Sequence, residues 1–575
     1  MSAQSEYQRW VAYPELDADS ARELAEIEGD SERIEMRFGS PMSFGTAGLR
    51  STMYAGTACM NVYTVAQATQ GLAVLIEKQA GKSRGVVIAY DSRNHSKEFA
   101  EVSAEVLAAN GIKVYLFDGV RPTPELSFAV RECGCIAGIN ITASHNPKEY
   151  NGYKAYWEDG AQLSPDFSRI VADAIATVDV LGGAKRISLA DAKAAGLLVM
   201  LDESFDEIYL DAVLKTAISP EEITAVCDDL KIVYTPLHGA GYRLVPEVLR
   251  RMGMKQLYTV PEQMVLDGNF PTVKKPNPED AKAFALGVAL AEEKGSDLVI
   301  ATDPDADRVG VMSRTSDGGF ATITGNQMGA LLLDYVIRAR RAQGRLSSDA
   351  YAVKSIVSTS LAAKIAEANG VKLYDVFTGF KFVGEVIKNY EKSGQPGEFL
   401  IGFEESYGYL FGTYARDKDA IGAVMMIVEM TAYYRRRGMT LSDALENLYK
   451  EYGLYKEGVL DVYMEGLDGT LRLRRLMAGL RETPLTSFAG EPISLVTDHS
   501  AQITLSLKDG KKTPTGMEAS NVLYYTLVNG DKIVVRPSGT EPKIKFYFLC
   551  HDTDNASLAA KIEKYKKEAE RLTAV

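Results

Sequence analysis

Residues 85–117, GVVIAYDSRNHSKEFAEVSAEVLAANGIKVYLF, decide the fold class. GVVIAY is a short apolar run rich in β-branched residues, the signature of a buried strand. From Lys97 to Asn110 the pattern becomes that of a helix, and Gly111 supplies its stop. IKVYLF then starts a second buried strand. A strand, a helix and a strand in immediate succession predict α/β organisation with substantial parallel pairing, and place ligands at the carboxyl ends of the strands.

The same order extends in both directions. CIAGINIT (135–142) is a further strand that empties into a polar loop. KIVYT, a helix from Tyr242 to Met252, QLYTV, a helix from Asp280 to Lys294 and DLVIAT repeat it. AVKSIV, a helix near Leu361 to Asn369, KLYDVF, another helix and FLIGF repeat it once more. Ahead of these units, Glu15 to Phe38 is charged and helical in pattern and leads into the Gly-rich turn FGTAGLR (44–50). Behind them, a long helical region from Ala420 to Tyr452 gives way to a helix near Leu471 to Leu480, strands around an Asn529-Gly530 turn, and a final helix from Ala556 to Leu572. That last stretch predicts a smaller α+β domain. The expected domains are 1–205, 206–322, 323–455 and 456–575.

Composition narrows the class of function. A chain of 575 residues is too long for one core, and its 46% hydrophobic and 25% charged residues are those of an ordinary globular protein. A formal net charge of −13 argues against a nucleic-acid surface, because such surfaces replace phosphate counterions with Lys and Arg. The five cysteines are scattered and odd in number, which predicts free thiols and a reducing compartment, the cytoplasm. MSAQSEYQRW lacks the basic start and apolar core of a signal peptide, and the longest apolar stretch, near Ala420 to Val428, stops at Glu429, so no membrane partner is expected.

Four loops carry residue types that do chemistry. ITASHNPKEYNGYKAYW (141–157) sets Ser144 at the mouth of a strand beside His145, with Pro147 preventing an immediate helix. A serine nucleophile needs a neighbouring base or cation, and His145 and Lys154 are candidates; the bland alternative is a turn serine. In LVIATDPDADRVGV (298–311) an apolar strand ends in Asp303, Asp305 and Asp307, followed by Arg308. Three carboxylates can supply half of an octahedral Mg²⁺ shell. An EF-hand is excluded, since the sixth position is Arg308 rather than Gly and the twelfth is Arg314 rather than Glu. A solvated acidic turn, or a phosphatase using Asp303 as nucleophile, remains open. FLIGFEESYGY (399–409) offers Glu404 and Ser406, a pair able to hold vicinal sugar hydroxyls, or else a charged loop over a sheet edge. KIVVRPSGTEPKIKFYF (532–548) gathers Arg536, Ser538, Gly539, Thr540 and Lys543, a donor set suited to a phosphate in an otherwise acidic protein.

In this order FGTAGLR, TASHNP, DPDADR, GFEES and RPSGTEPK resemble the signature blocks of the α-D-phosphohexomutase superfamily along the whole chain. YNGYKAYW, YTPLHGAGY and FTGFKFVG resemble its phosphoglucomutase-2-like and bacterial phosphoglucomutase branch. The resemblance implies three related α/β domains and a smaller C-terminal α+β domain around a central cleft. It implies that Ser144 is a phosphoserine whose phosphate completes a Mg²⁺ site with Asp303, Asp305 and Asp307. Arg50, His145, Lys154 and Lys418 would line the reacting centre, with Arg308 beside the metal. Thr378, Gly379 and Lys381 would lie on a specificity loop beside Glu404 and Ser406. Arg536, Ser538, Gly539, Thr540 and Lys543 would grip the phosphate that is not reacting.

The implied activity interconverts glucose 1-phosphate and glucose 6-phosphate, with glucose 1,6-bisphosphate as intermediate and activator and small-molecule sugar phosphates as the partners. GFEESYG and GTAGLR depart from the GEESFG and Gly-Ile-Arg forms of other branches, which leaves open a phosphopentomutase or a broad mutase that also takes mannose 1-phosphate. A non-catalytic protein that binds sugar phosphates is the remaining alternative. Oligomeric state is not legible.

Overall fold

The structure is a computed structural model that describes residues 2–45, 48–464, 469–538 and 543–574. It divides into two compact units, Met1–Thr324 with Phe380–Ser442, and Gly325–Gly379 with Asp443–Val575. The α/β segment expected over 323–455 therefore contributes to both units.

The first unit opens with helices Ala3–Val11, Ala18–Ala25 and Ser31–Phe38, each begun by a side-chain cap from Ser2, Asp17 and Asp30. Their apolar faces close around Trp10, which is fully buried with Phe38 and Ile34. A six-stranded sheet follows, built from β1 (Leu49–Thr52), β2 (Val86–Tyr90), β3 (Val114–Phe117), β4 (Ala137–Ile141), β5 (Tyr150–Trp157) and β6 (Leu198–Leu201), in the order β1-β5-β4-β2-β3-β6. β2 pairs in parallel with β3 and β4, as the quoted stretch predicts. All five residues of β2 are buried, because helices Ser96–Ala109 and Thr123–Glu132 pack on it. β5 runs antiparallel to β4, and β1 antiparallel to β5. YNGYKAYW is thus a strand, and the loop carrying Ser144 is the turn of a β4–β5 hairpin.

A second sheet comprises β7 (Lys231–Thr235), β8 (Gln256–Thr259), β9 (Leu298–Thr302), β10 (Val309–Arg314) and β11 (Phe320–Ile323), in the order β11-β10-β9-β7-β8. β7 is parallel to β8 and β9, whereas β10 returns antiparallel along β9. The three aspartates occupy that hairpin turn. The helix expected from Asp280 to Lys294 begins as a 3₁₀ turn, Ala281–Phe284, and becomes α-helical over Ala285–Lys294. Within 380–442, strands Glu398–Glu404 and Gly408–Leu410 form a hairpin, and helix Ala420–Arg435 packs on helices Glu221–Val226 and Gly241–Arg251. Its Glu429 accepts the backbone N–H groups of Ile218 and Ser219. The helical region expected from Ala420 to Tyr452 is two helices, Ala420–Arg435 and Leu441–Tyr452, interrupted where Gly438 takes a positive φ of 70°.

In the second unit, strands Ala350–Ser355 and Lys372–Val376 pair in parallel around helix Leu361–Asn369, which ends at left-handed Gly370. The C-terminal part is an antiparallel sheet in which Leu454–Tyr463 pairs with Lys543–Asp552, and Lys543–Asp552 with Lys532–Pro537. Helix Asn555–Thr573 covers it, with Phe488, Phe548 and Tyr565 in mutual ring contact at the centre. All five cysteines are free thiols. Among the described residues, no helix is long and apolar enough to cross a membrane.

Candidate active site

Two hairpin turns of the first unit, the one carrying Ser144 and the one carrying the aspartates, meet. Ser144, at the end of β4, is 3% exposed, and its Oγ donates to Asp303 Oδ2 at 2.6 Å. Its backbone is left-handed, with φ 51°, a conformation costing a non-glycine residue about 1–3 kcal/mol. Two contacts hold it there. The Ser144 N–H donates to Thr142 Oγ1 at 2.8 Å, and Thr142 Oγ1 donates in turn to Asp91 Oδ2 at 2.6 Å. Arg93 binds the Ser144 carbonyl at 2.5 Å. His145 Nδ1 lies 3.1 Å from Ser144 Oγ, and burial together with the Arg308 and Arg50 guanidinium groups pushes the imidazole pKa well below its usual value.

The aspartate turn is equally tight. Ala306 takes φ 48° and donates its N–H to the Asp303 carbonyl, while Asp303 Oδ1 accepts the N–H groups of Asp307 and Arg308 at 3.1 and 3.0 Å. The HGAG stretch lies beneath: a Cβ at Gly239 would fall 2.4 Å from Pro304 Cα, so only glycine permits this approach. Oxygen atoms of Asp303, Asp305 and Asp307, one from each, lie within 4.8 Å of one another. Burial, then the charges of Asp305 and Asp307, push Asp303 well above the usual carboxylate range. Burial acts on Asp305 in the same direction, but the Lys154 ammonium at 2.7 Å overcomes it and holds Asp305 low. Lys418 Nζ is 3.2 Å from Asp307 Oδ2, and Arg308, itself paired with Glu279 at 2.5 Å, is 3.7 Å from Asp307 Oδ1.

This donor set fits a hard divalent cation. Asp305 Oδ1 and Asp307 Oδ1 are buried without a hydrogen bond, an arrangement that costs free energy unless a cation meets them. Lys154, Lys418 and Arg308 set cationic groups beside the carboxylates, so a phosphate drawn to a bound Mg²⁺ would meet positive charge there as well.

Of the other expected residues, Arg50 sits on β1 and donates to Asn146 Oδ1 at 3.1 Å, tying it to the serine loop. Glu404 is buried at the end of strand Glu398–Glu404 and its charge acts on both Lys418 and Arg308. Ser406 lies in the turn that follows, where Tyr407 takes φ 66°, and Gly408 beyond it packs against Lys418. Lys381 begins helix Lys381–Ser393. In the second unit, Thr378 and Gly379 follow strand Lys372–Val376, with Gly379 at φ 119°. Arg536, the last residue but one of strand Lys532–Pro537, pairs with Lys545, the Ser538 N–H donates to the Lys543 carbonyl at 2.7 Å, and Lys543 Nζ lies 3.4 Å from Tyr463 Oη. Gly539 and Thr540 lie outside the described residues.

Sequence reasoning missed Asp91, Arg93, Thr123 and Asn140. Thr123 is fully buried; its Oγ1 donates to Asp305 Oδ2 at 2.6 Å, accepts from Asn140 Nδ2 at 2.6 Å, and its N–H donates to the Asp305 carbonyl at 2.9 Å. The available signal was a polar residue inside an otherwise apolar strand, Asn140 in β4, and the polar residues Asp91 and Arg93 just beyond β2; Thr123, the first residue of helix Thr123–Glu132, carried none.

Three successive sequence patterns of one family match the chain: phosphoglucomutase/phosphomannomutase α/β/α domain I over residues 41–180, domain II over 207–318 and domain III over 324–452. The phosphoglucomutase of Staphylococcus aureus strain N315 is 37% identical over 531 residues, covering 91% of this chain and 93% of that one. The chain belongs to the phosphoglucomutase/phosphomannomutase family. The phosphoglucomutase of Staphylococcus haemolyticus strain JCSC1435 is 36% identical, with 91% and 92% covered. Two solved members share the fold at lower identity. Paramecium parafusin in an open form gives a TM-score of 0.67 at 17% identity, covering 92% of this chain and 96% of that one. A phosphoglucomutase/phosphomannomutase family protein of Burkholderia thailandensis gives 0.64 at 19%, covering 93% and 97%. The architecture is therefore that of the phosphohexomutases, three α/β domains and a C-terminal domain, and the family is one of sugar-phosphate mutases.

Proposed function

We propose that this protein is a phosphoglucomutase that interconverts α-D-glucose 1-phosphate and glucose 6-phosphate, with phosphoserine at Ser144 and glucose 1,6-bisphosphate as intermediate. The observation that carries the proposal is the 2.6 Å contact between Ser144 Oγ and Asp303 Oδ2, made in a buried site where two further carboxylates keep oxygens without hydrogen bonds. A serine in that position can carry a phosphoryl group whose oxygens complete a metal shell. The glucose preference is supported by the Staphylococcus phosphoglucomutases, which cover nine-tenths of the chain.

Asp303, Asp305 and Asp307 would hold Mg²⁺, which when bound supplies Lewis-acid stabilisation of charge on the phosphoryl oxygens. The side chains do the rest. Ser144 Oγ carries the phosphoryl group, and His145, kept neutral, can hold the proton that leaves or returns at the reacting hydroxyl. Lys154, Lys418 and Arg308 gather the charge that spreads over the equatorial oxygens. Glu404 and Ser406 are assigned to the sugar hydroxyls, and Thr378, Gly379 and Lys381 to the specificity loop. Arg536, Ser538, Gly539, Thr540 and Lys543 are assigned to the distal phosphate. A phosphatase acting through Asp303 fits less well, because both Asp303 oxygens already accept hydrogen bonds, from Ser144 and from two backbone N–H groups.

The test is phosphorus NMR of the protein with Mg²⁺, a trace of glucose 1,6-bisphosphate and, separately, glucose, mannose and ribose 1-phosphates, alongside S144A. Conversion of glucose 1-phosphate that the variant loses supports the proposal. A preference for ribose 1-phosphate would make the protein a phosphopentomutase, and release of inorganic phosphate alone would contradict a mutase.

A further inference from the structure

Arg93 is a charged side chain with no exposure to solvent, placed three residues beyond the end of β2. Burying a guanidinium is costly unless its fork is satisfied, and here four backbone carbonyls satisfy it. Nη2 donates to the carbonyls of Ser144 and Asn146, each at 2.5 Å, and Nη1 to those of Pro147 and Tyr150 at 2.9 and 3.0 Å. These acceptors span the whole turn from Ser144 to the first residue of β5. Asp91 Oδ2 lies 3.3 Å from Arg93 Nε. The same carboxylate accepts from Thr142 Oγ1, whose own oxygen accepts the Ser144 N–H. One ion pair therefore grips the serine residue through both its N–H and its carbonyl.

The guanidinium is also roofed from the second α/β domain. The Phe270 ring, 2% exposed, lies 5.0 Å from Arg93 Cζ. The loop carrying it is seated closely: a Cβ at Gly268 would fall 2.3 Å from the Asn94 backbone nitrogen, and Asn94 Nδ2 donates to Asn269 Oδ1 at 3.2 Å. The serine turn and the aspartate turn belong to different domains, so Ser144 must be fixed against an external frame for its Oγ to meet Asp303.

We infer that Arg93 is a positioning residue for Ser144: with Asp91 and Phe270 it clamps the serine turn in its left-handed conformation and aims Oγ at the aspartate turn. It touches no reacting atom. The inference rests on the proposed role of Ser144. Without the clamp the serine turn loses four charge-assisted hydrogen bonds and relaxes toward less strained backbone, which lengthens the distance over which phosphoryl transfer must occur.

The experiment compares the full-length parent, R93K, R93Q and S144A in glucose 1-phosphate isomerisation with Mg²⁺ and glucose 1,6-bisphosphate. Hydrogen exchange of the peptide covering residues 142–152 is measured in parallel, since it needs no activity. R93Q is expected to lower kcat about 10²-fold, with the sugar-phosphate KM nearly unchanged, and to speed exchange in 142–152. R93K is expected to recover part of kcat, because an ammonium reaches some of the carbonyls but has no planar fork. A folded R93Q with parental kcat, or one that raises KM in proportion while exchange in 142–152 stays slow, overturns the inference. If R93Q does not fold, R93K and F270L carry the test: both should show lower kcat at constant KM, and parental kcat in both overturns it. If the parent isomerises nothing, or S144A matches it, the proposed function fails instead, and exchange in the Arg93 variants decides by itself whether the clamp exists.

Discussion

Replacing Thr123 by valine isolates one link between the first domain and the metal-site carboxylates. Valine matches threonine in shape, so no cavity forms, and the residue 123 N–H still donates to the Asp305 carbonyl at 2.9 Å. What is lost is the 2.6 Å hydrogen bond from the hydroxyl to the ionised Asp305 Oδ2, worth about 1.5–3 kcal/mol. Asn140 Nδ2 also loses its acceptor at 2.6 Å in a fully buried position, which adds about 1–3 kcal/mol. With Lys154 left as its one Oδ2 partner among the described residues, Asp305 is oriented less firmly and becomes a poorer ligand, and changes at such supporting groups typically weaken metal affinity about 10–100-fold. Thr123→Val should therefore lower the unfolding midpoint in EDTA and raise the Mg²⁺ concentration for half-maximal activity by that factor. Saturating Mg²⁺ should restore most of kcat. Calorimetric Mg²⁺ titration of parent and variant is the assay. A variant with parental Mg²⁺ affinity and parental stability would refute the reasoning.

Gly408→Ala should disable the site without unfolding the protein. A Cβ there would lie 2.0 Å from Lys418 Cδ and 2.6 Å from Cγ, so the Lys418 side chain must leave its rotamer and Asp307, and kcat falls about 10²-fold while the circular dichroism spectrum holds. Glu457 predicts a pH dependence in the second unit. Its Oε1 is buried without a hydrogen bond, and burial, only partly offset by the Thr359 hydroxyl and Lys354, pushes its pKa from 4.5 up to about 7. Between those values the folded chain keeps a proton that the unfolded chain has released, so stability falls as pH rises through the window, by up to about 3 kcal/mol. Glu457→Gln should stabilise the protein by up to that amount at about pH 8 and by nothing at about pH 4, measured by urea denaturation. An equal gain at both would contradict the assignment.

The strands and helices legible in the sequence are those whose apolar period matches their burial. β2, buried on both faces, stands out as an apolar run, and helix Leu361–Asn369 ends at the glycine that stops it. The antiparallel strands were harder to read. β5 holds Asn151 and Lys154 among its buried residues, so its apolar pattern is broken by the very groups that serve the site. The break after Arg435 was missed because helix Ala420–Arg435 is buried all round and its pattern does not mark an end. In the site, Ser144 and the aspartates announce themselves by residue type and spacing. Arg93 and Thr123 act across long sequence separations, through backbone carbonyls in one case and a single carboxylate in the other. Neither relation has a local sequence period.

The central claim is that Ser144, and not Asp303, carries the phosphoryl group. It is tested most directly by incubating the parent, S144A and D303N with glucose 1,6-bisphosphate and Mg²⁺ and mapping the phosphorylated peptide by mass spectrometry, with and without hydroxylamine. The account predicts a single phosphoryl group on the peptide containing Ser144, stable to hydroxylamine and absent from S144A. Phosphate on the peptide containing Asp303, released by hydroxylamine and retained in S144A, would contradict it.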